Sequence, residues 1–450
     1  MHTHAIKLNW NATHVSPGVP VAGSGLNFNP DCRAQQRCAH DRDNIEKQES
    51  KILKQHQMSF TCMHASNRPS IKRTHTYIPS FKASLSHRSI EFPNQHKLAK
   101  MWQSKAIVFF FLLAVSLRES TAAQPLLTAI TKNPSTSRYT APLNAGRPLI
   151  LDLNTGAVTT PCSGGQTTTR VTLSANATDG SRPLSPVSFP AAASCSSTGA
   201  SVAGLGRSTL SFPAQVASTQ KVSNSFALCL PSDGKTGFSG TGFGAAIFGG
   251  GPFFLAPPAD RPSITTLLSA GVPLVRRPAT RNPAAYYVAG TGIAVDGLRV
   301  QGELTLGLST KIPYTALRSD VYRALINAFD RAMGRAAKVA AVAPFELCYD
   351  SSKLSPSRLG YLVPQVDLVL DRGVNWTVVG GNSMAQVNSG TACFAFVEEK
   401  ESFGGAPAVV VGGFQMENKL VVLDEEKQTL SFTGYLPAMG FSCSNFNFTT

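Results

Sequence analysis

At 450 residues the chain exceeds one ordinary domain, so two lobes or domains are the starting expectation. Residues 1–100 carry 14 Lys+Arg against 6 Asp+Glu, a net of +8 out of +15, and the remaining +7 has no tight Lys/Arg cluster interleaved with aromatics, which argues against a nucleic-acid partner. All nine histidines lie within the first hundred residues, which excludes Ser-His and Cys-His nucleophile systems and imidazole-based zinc or copper sites from the rest; no metal or cofactor is expected.

In chain order, residues 1–100 form a polar, His- and Gln-rich leader without helical or strand periodicity, expected to be disordered. Residues 101–123 read as a secretory signal peptide: Met101 to Lys105 as basic region, an apolar run over 106–117, then Ser120-Thr121-Ala122-Ala123 as small-residue cleavage site. The run is too short to span a bilayer comfortably, so no membrane anchor is expected. Because a signal peptide is read at the N-terminus, Met101 is read as the working start and the leader as a gene-model extension. The mature chain is then residues 124–450, secreted to the apoplast or cell wall. Its six cysteines, Cys162, Cys195, Cys229, Cys348, Cys393 and Cys443, suggest three disulfides, for which 15 pairings are open. The sequons at Asn176, Asn375 and Asn447 fit that route.

Short β-type runs separated by Gly, Pro and Ser/Thr turns dominate the mature part: 148–153, 245–248, 286–295, 361–370, 377–379, 393–397, 408–411, 420–423 and 429–432. That texture predicts an all-β architecture with few helices. One helix is predicted, with Ser319 as cap and Val321, Leu325, Ala328, Phe329 and Ala332 at helical spacing through about Ala337. The glycine-rich stretch 237–251 lacks the Lys and Ser/Thr of a phosphate loop and reads as a loop entering a strand.

Several strings carry a resemblance. Ser211-Phe212-Pro213-Ala214-Gln215, Phe226-Ala227-Leu228-Cys229-Leu230-Pro231 and Ile247-Phe248-Gly249-Gly250-Gly251-Pro252 resemble the first lobe of plant pepsin-like proteins. Pro344-Phe345-Glu346-Leu347-Cys348-Tyr349-Asp350, Asn382-Ser383-Met384 and Val411-Gly412-Gly413-Phe414-Gln415-Met416-Glu417-Asn418 resemble the second lobe. Together they are similar to the TAXI-type endoxylanase inhibitors of cereals and, more loosely, to the basic seed globulins. The resemblance implies a bilobal pepsin-like fold, with lobes over 124–270 and 271–450 and one cleft aspartate from each. It implies Cys348–Cys393 and Cys229–Cys443 as bridges, leaving Cys162–Cys195.

Aspartic proteolysis needs two carboxylates sharing one proton. The first-lobe counterpart is Leu149-Ile150-Leu151-Asp152-Leu153-Asn154; a second register, Asn154-Thr155-Gly156, would put an amide at the carboxylate position. The second-lobe counterpart is Leu306-Gly307-Leu308-Ser309-Thr310-Lys311, with Ser309 at the aspartate position. A serine hydroxyl is too weak an acid to share a proton with Asp152. Lys311, if close, would hold Asp152 in an ion pair, and Glu303 lies six residues upstream of Ser309. No catalytic dyad is intact in either register.

Only 13 residues separate Cys162 from Asn176, where the resembled proteins hold several dozen, including the flap hairpin; the first lobe is therefore expected to be shortened, with exposed strand edges. In the resembled inhibitors a histidine after Leu-Pro meets the xylanase carboxylates. Here the motif reads Leu436-Pro437-Ala438. The expected function is a proteolytically inactive, secreted monomer that binds a microbial xylanase or other glycosidase. An aspartic endopeptidase and a seed-globulin-like storage or receptor-binding role are the alternatives.

Overall fold

The computed structural model describes residues 123–450, apart from 163–165, 197–198, 233–241, 256–262, 277–281, 400–406, 447 and 449–450. The leader, the signal-peptide segment before Ala123, Asn447 and the start of the glycine-rich stretch lie outside the described residues.

The chain is a mostly β, bilobal pepsin-like fold with four short α-helices among the described residues. Its first half runs through β1 (Leu126–Lys132), β2 (Tyr139–Asn144), β3 (Arg147–Asp152), β4 (Val158–Pro161), β5 (Thr168–Thr178), β6 (Pro183–Ser196) and β7 (Val202–Gly204). Helix α1 (Phe212–Gln220) follows, then β8 (Ser225–Cys229) and β9 (Gly244–Phe248). The second half opens with β10 (Val272–Val275), β11 (Tyr287–Val295), β12 (Leu298–Gln301), β13 (Leu304–Leu308) and β14 (Thr315–Arg318), followed by helix α2 (Ser319–Met333).

Two parallel pairings organise the halves. β3 lies parallel to β7, with Asp152 opposite Gly204. β13 lies parallel to the strand Val409–Val411, with Leu308 opposite Val411. Both pairings bring in a strand distant in sequence and leave the chain free to turn sharply at its end. The halves share strands as well: Leu420–Asp424 pairs with β8, and β10 pairs with both β11 and Thr429–Phe432. One large apolar cluster, including Leu149, Leu151, Phe226, Phe248, Tyr286, Phe329, Trp376 and Phe432, runs through both halves.

The disulfides are Cys162–Cys195, Cys229–Cys443 and Cys348–Cys393. The first ties the end of β4 to the end of β6, beside which β4 runs parallel. The shortened first lobe is evident here: six residues after β4, the chain enters a long hairpin in which β5 and β6 pair from Thr168↔Ser194 to Thr178↔Pro183. Alternation shows which side is inward, since Leu173, Ala175 and Ala177 are buried while Arg170 and Thr172 are exposed.

Several sequence expectations are corrected. Helix α2 begins at Ser319 itself, with Arg318 in the cap position and no side-chain cap bond; Arg318 instead grips Asp320 of the first turn at 2.6 Å. The helix stops at Met333 rather than near Ala337, because Gly334 takes φ 60° and turns the chain. The run 393–397 is two strands, broken at Ala395, whose N–H bonds Ser383 O at 2.7 Å and whose carbonyl accepts from Gln415 Nε2 at 2.8 Å. Likewise, 361–370 is only strand at its ends, and α1 was not anticipated at all.

Candidate functional site

The candidate site is built where β3 and β13 end. Leu149 and Leu151 of β3 are buried, so the alternation of the strand directs them into the core and carries Asp152 to the strand tip. Gly204 is opposite; a Cβ there would lie 2.2 Å from the Ala157 carbonyl oxygen, so only glycine lets the two segments approach. The Asp152 carboxylate is 4 % exposed as a residue and is held by its own turn. Asn154 N donates to Oδ1 at 2.8 Å and Thr155 Oγ1 donates to Oδ2 at 2.7 Å.

The partner turn has the same construction. Ser309 follows β13, and its N–H bonds Val411 O at 3.0 Å. Its Oγ accepts from Lys311 N at 3.2 Å, as Asp152 accepts from Asn154. Gly412 follows the parallel strand here, and a Cβ on it would lie 2.4 Å from the Tyr314 carbonyl carbon.

Three hydrogen bonds brace the turns against each other. Thr310 Oγ1 donates to Leu151 O at 2.8 Å and accepts from Leu153 N at 3.2 Å. In the return direction Asn154 Nδ2 donates to Leu308 O at 3.1 Å. Leu151 and Leu308 directly precede Asp152 and Ser309, so the brace is nearly reciprocal. One side uses the threonine hydroxyl and the other uses an amide two residues beyond the aspartate. Asn154 Oδ1 is buried without a hydrogen-bond partner among the described residues, the cost of using an amide there.

Lys311 completes the local electrostatics. Its Nζ stands 3.7 Å from Asp152 Oδ2 at the mouth of the turn, with the lysine side chain 56 % exposed. Among the described residues no second carboxylate hydrogen-bonds or ion-pairs with the Asp152 turn. Glu303 lies exposed in the turn between β12 and β13, roughly 20 Å along an extended strand from Ser309. Chemically, the arrangement holds one carboxylate against hydroxyls, amides and one ammonium.

The other sequence-selected positions lie elsewhere. Ala438 sits half-buried in the 3₁₀ turn Leu436–Met439, whose first N–H bonds Asn418 O at 2.9 Å. Asn176 is half-buried on β5 and Asn375 is exposed at the start of the strand Asn375–Val378.

Sequence reasoning missed three buried charged side chains near the junction of the halves. Lys132 Nζ pairs with Glu417 Oε1 at 2.7 Å, and Tyr139 OH donates to the same oxygen at 2.7 Å. Lys419 is wholly buried, its Nζ 5.5 Å from the Trp376 ring centre and without a hydrogen-bond partner among the described residues. Burial pushes its pKa down to about 7, against a smaller upward pull from Asp367. The sequence signal was weak, because Asn-Lys between short elements ordinarily reads as a surface turn.

The geometry agrees with comparisons to known proteins. Residues 139–250 match the family model "Xylanase inhibitor N-terminal" and residues 285–434 match "Xylanase inhibitor C-terminal". "Chitinase CLP" of Oryza sativa subsp. japonica is 44% identical over 409 residues, covering 75% of this chain and 94% of the rice protein. That match draws on about 340 of the 450 residues here, so about 70 of its 409 positions have no counterpart in this chain. "Gamma conglutin 1" of Prunus dulcis is 33% identical over 267 residues, 55% of this chain and 56% of that one. Among solved structures, edgp superposes with a TM-score of 0.64 at 24% identity, over 73% of this chain and 98% of that chain. Soybean basic 7S globulin gives 0.60 at 22%, over 73% and 100%. Matched across both halves, and folded around two braced turns on parallel strand pairs, this chain belongs to the xylanase-inhibitor family of pepsin-fold proteins.

Proposed function

We propose that this chain is a secreted pepsin-fold protein that does not cleave peptides and acts by binding another protein, a glycosidase of the xylanase class. The observation that carries the reading is the pair of braced turns with a carboxylate on one, a serine on the other and Lys311 against the carboxylate. Asp152 and Ser309 are then the counterparts of the paired aspartates. Activating water across a peptide bond takes one group as base and a second, protonated carboxyl as acid; an alcohol cannot fill the second role near its ordinary acidity. Most glycoside hydrolases use two carboxyl groups separated by about 5 to 9.5 Å, and the substrate-assisted ones still use a carboxyl group to protonate the leaving oxygen, whereas the Asp152 carboxylate is engaged by Asn154 N, Thr155 Oγ1 and Lys311. The name of the rice relative therefore does not transfer to this turn as a chitin-cleaving activity. In this reading residues 101–123 direct secretion, residues 124–270 and 271–450 form the lobes, and Asn176, Asn375 and Asn447 are glycan acceptors.

Two measurements test the proposal. Casein digestion at acid pH, with and without pepstatin, is expected to show no pepstatin-sensitive cleavage. Cleavage that stops in Asp152→Asn and in Ser309→Ala would overturn the inactive reading. Inhibition titrations against family 11 and family 10 xylanases are expected to show weak binding, because the methyl group of Ala438 offers no hydrogen bond to a catalytic carboxylate. Ala438→His is expected to tighten binding by about 2 kcal/mol, roughly thirtyfold. Failure of both the wild type and this variant to bind either xylanase would remove the xylanase assignment and favour the storage or receptor-binding role.

A further inference from the structure

The three disulfides differ in what surrounds them. Cys229 and Cys443 are buried among Leu127, Ile247, Leu420 and Leu436, and Cys348 and Cys393 are buried beside Phe345 and Phe414; none of the four is more than 1 % exposed. Cys162 and Cys195 are only half-buried and belong to no apolar cluster among the described residues. A thiolate opens a disulfide by attacking one of its sulfurs, so access decides which bridge reacts. The fold shields two bridges and leaves the third least shielded. Charge favours the same one. Between Asp152 and Asp233 the sequence has a single acidic residue, Asp179, in the turn at the opposite end of the β5–β6 hairpin from Cys195. The strands around the bridge, β4, β6 and β7, hold no charged residue, so they set no carboxylate against an incoming thiolate.

The bridge also holds a strand that has little else to hold it. β4 is the exit from the Asp152 turn; it is four residues long and buries only Val158. It runs parallel to β6 from Val158↔Ala193 to Pro161↔Ser196 and meets β7 at the single pair Thr159↔Val202. β6, by contrast, is fixed along its length by the ladder to β5, and Cys195 N bonds Thr167 O at 3.0 Å. Opening the bridge therefore leaves Cys195 in place and frees the Cys162 end.

We propose that Cys162–Cys195 is a thiol–disulfide exchange site, opened by a dithiol reductant while the rest of the chain stays folded, and that its opening releases β4 behind the Asp152 turn. One thiolate of the reductant attacks Sγ of either cysteine and forms a mixed disulfide. The other cysteine leaves as a thiolate and takes up the proton that the attacking thiol gave to solvent. The second thiol of the reductant, deprotonated, then displaces the bound cysteine, which is protonated in turn. The chain gains two electrons and two protons, and the dithiol closes to its own disulfide. An oxidised dithiol reverses the step. The Asp152 turn keeps its hydrogen bonds to Asn154, Thr155 and the Thr310 turn, and loses the fixed exit that β4 gives it.

The test uses the full chain with free thiols first blocked by N-ethylmaleimide, so that Cys32, Cys38 and Cys62 do not report. Dithiothreitol is then raised in steps, new thiols are trapped with iodoacetamide and located by peptide mass mapping, and near-ultraviolet circular dichroism follows the fold. Label is expected on Cys162 and Cys195 at a reductant concentration that leaves Cys229, Cys443, Cys348 and Cys393 unlabelled and the spectrum unchanged. In that state hydrogen exchange of the peptide covering 158–162 is expected to speed up, with α2 unchanged. Cys162→Ala/Cys195→Ala is expected to show the fast exchange without reductant and to take no label at the same concentration. The reduced wild type carries both readouts if that variant does not fold. Bridges that open together as the spectrum collapses, or a buried bridge that opens first, would overturn the exchange site. Exchange over 158–162 that stays at its oxidised rate would overturn the release of β4.

Discussion

Thr310 is a single hydroxyl that serves two buried backbone groups belonging to the opposite turn, Leu151 O and Leu153 N. Thr310→Val keeps the shape and removes both bonds. Each stranded group costs about 1 to 3 kcal/mol, so the variant is expected to lose about 2 to 6 kcal/mol in denaturant unfolding, with Thr310→Ser near wild type. The contact of Lys311 with Asp152 was anticipated from sequence, because a lysine two residues past the aspartate position has few other places to reach once the turns meet. The brace from Asn154 to Leu308 was not. It joins residues 154 apart, and nothing in the string Asp-Leu-Asn-Thr-Gly announces an amide performing this role. Asp152 is the hub of its turn, receiving Asn154 N and Thr155 Oγ1, and this supports the proposed register with the carboxylate rather than the Asn154 amide at the turn.

At the scale of elements, the entry to the strand Leu420–Asp424 contains the buried Lys419, and its linkage has a definite sign. In the unfolded chain the ammonium titrates near 10.5 and in the folded chain near 7. Above 10.5 both states are neutral at this site and burial carries no ionisation penalty. As pH falls from 10.5 to 7 the unfolded chain takes up a proton that the folded chain does not, so stability declines, and below 7 the penalty is constant. The shift corresponds to about 5 kcal/mol at 1.36 kcal/mol per unit, as an upper bound. Lys419→Met is therefore expected to be more stable than wild type at pH 6, with the difference shrinking towards pH 10 in paired denaturant titrations. An equal difference at both pH values would show that packing, not charge, sets the effect. Other elements divide by how local their signals are. The run 429–432 was legible to the residue, since four residues of alternating burial between turn signals suffice. Helix α1 was not, because Phe212-Pro213 and a short Ala/Ser/Thr/Gln run carry almost no helical stripe. It forms because Ser211 caps it and Phe212 and Val216 reach the core.

For the whole molecule the long-range cross-links decide how the halves stay together. Cys229–Cys443 joins β8 to the last turn across 214 residues, within an apolar cluster holding Leu127, Ile247, Leu420 and Leu436. Cys162–Cys195 spans 33 residues. On loop-closure entropy, removing the first is expected to cost about 5 kcal/mol and the second about 4, with strain and residual structure adjusting both. Denaturant unfolding of Cys229→Ala/Cys443→Ala and Cys162→Ala/Cys195→Ala checks the order, and a larger loss for the shorter loop would contradict it.

The sequence by itself determined what depends on residue type and short spacing: the β texture, helix α2 and the six cysteines. Similarity of several separated strings then supplied the fold and the disulfide partners, which spacing alone left open. Tertiary structure decided everything that requires two distant segments to meet. It set the reciprocal brace of the cleft turns, the burial of Lys419 at the junction, and the grip of the Gln215 side chain on the backbone of Ala192. Hydrogen bonds and desolvation act over a few ångströms in space, and the chain order does not reveal which residues will share that space.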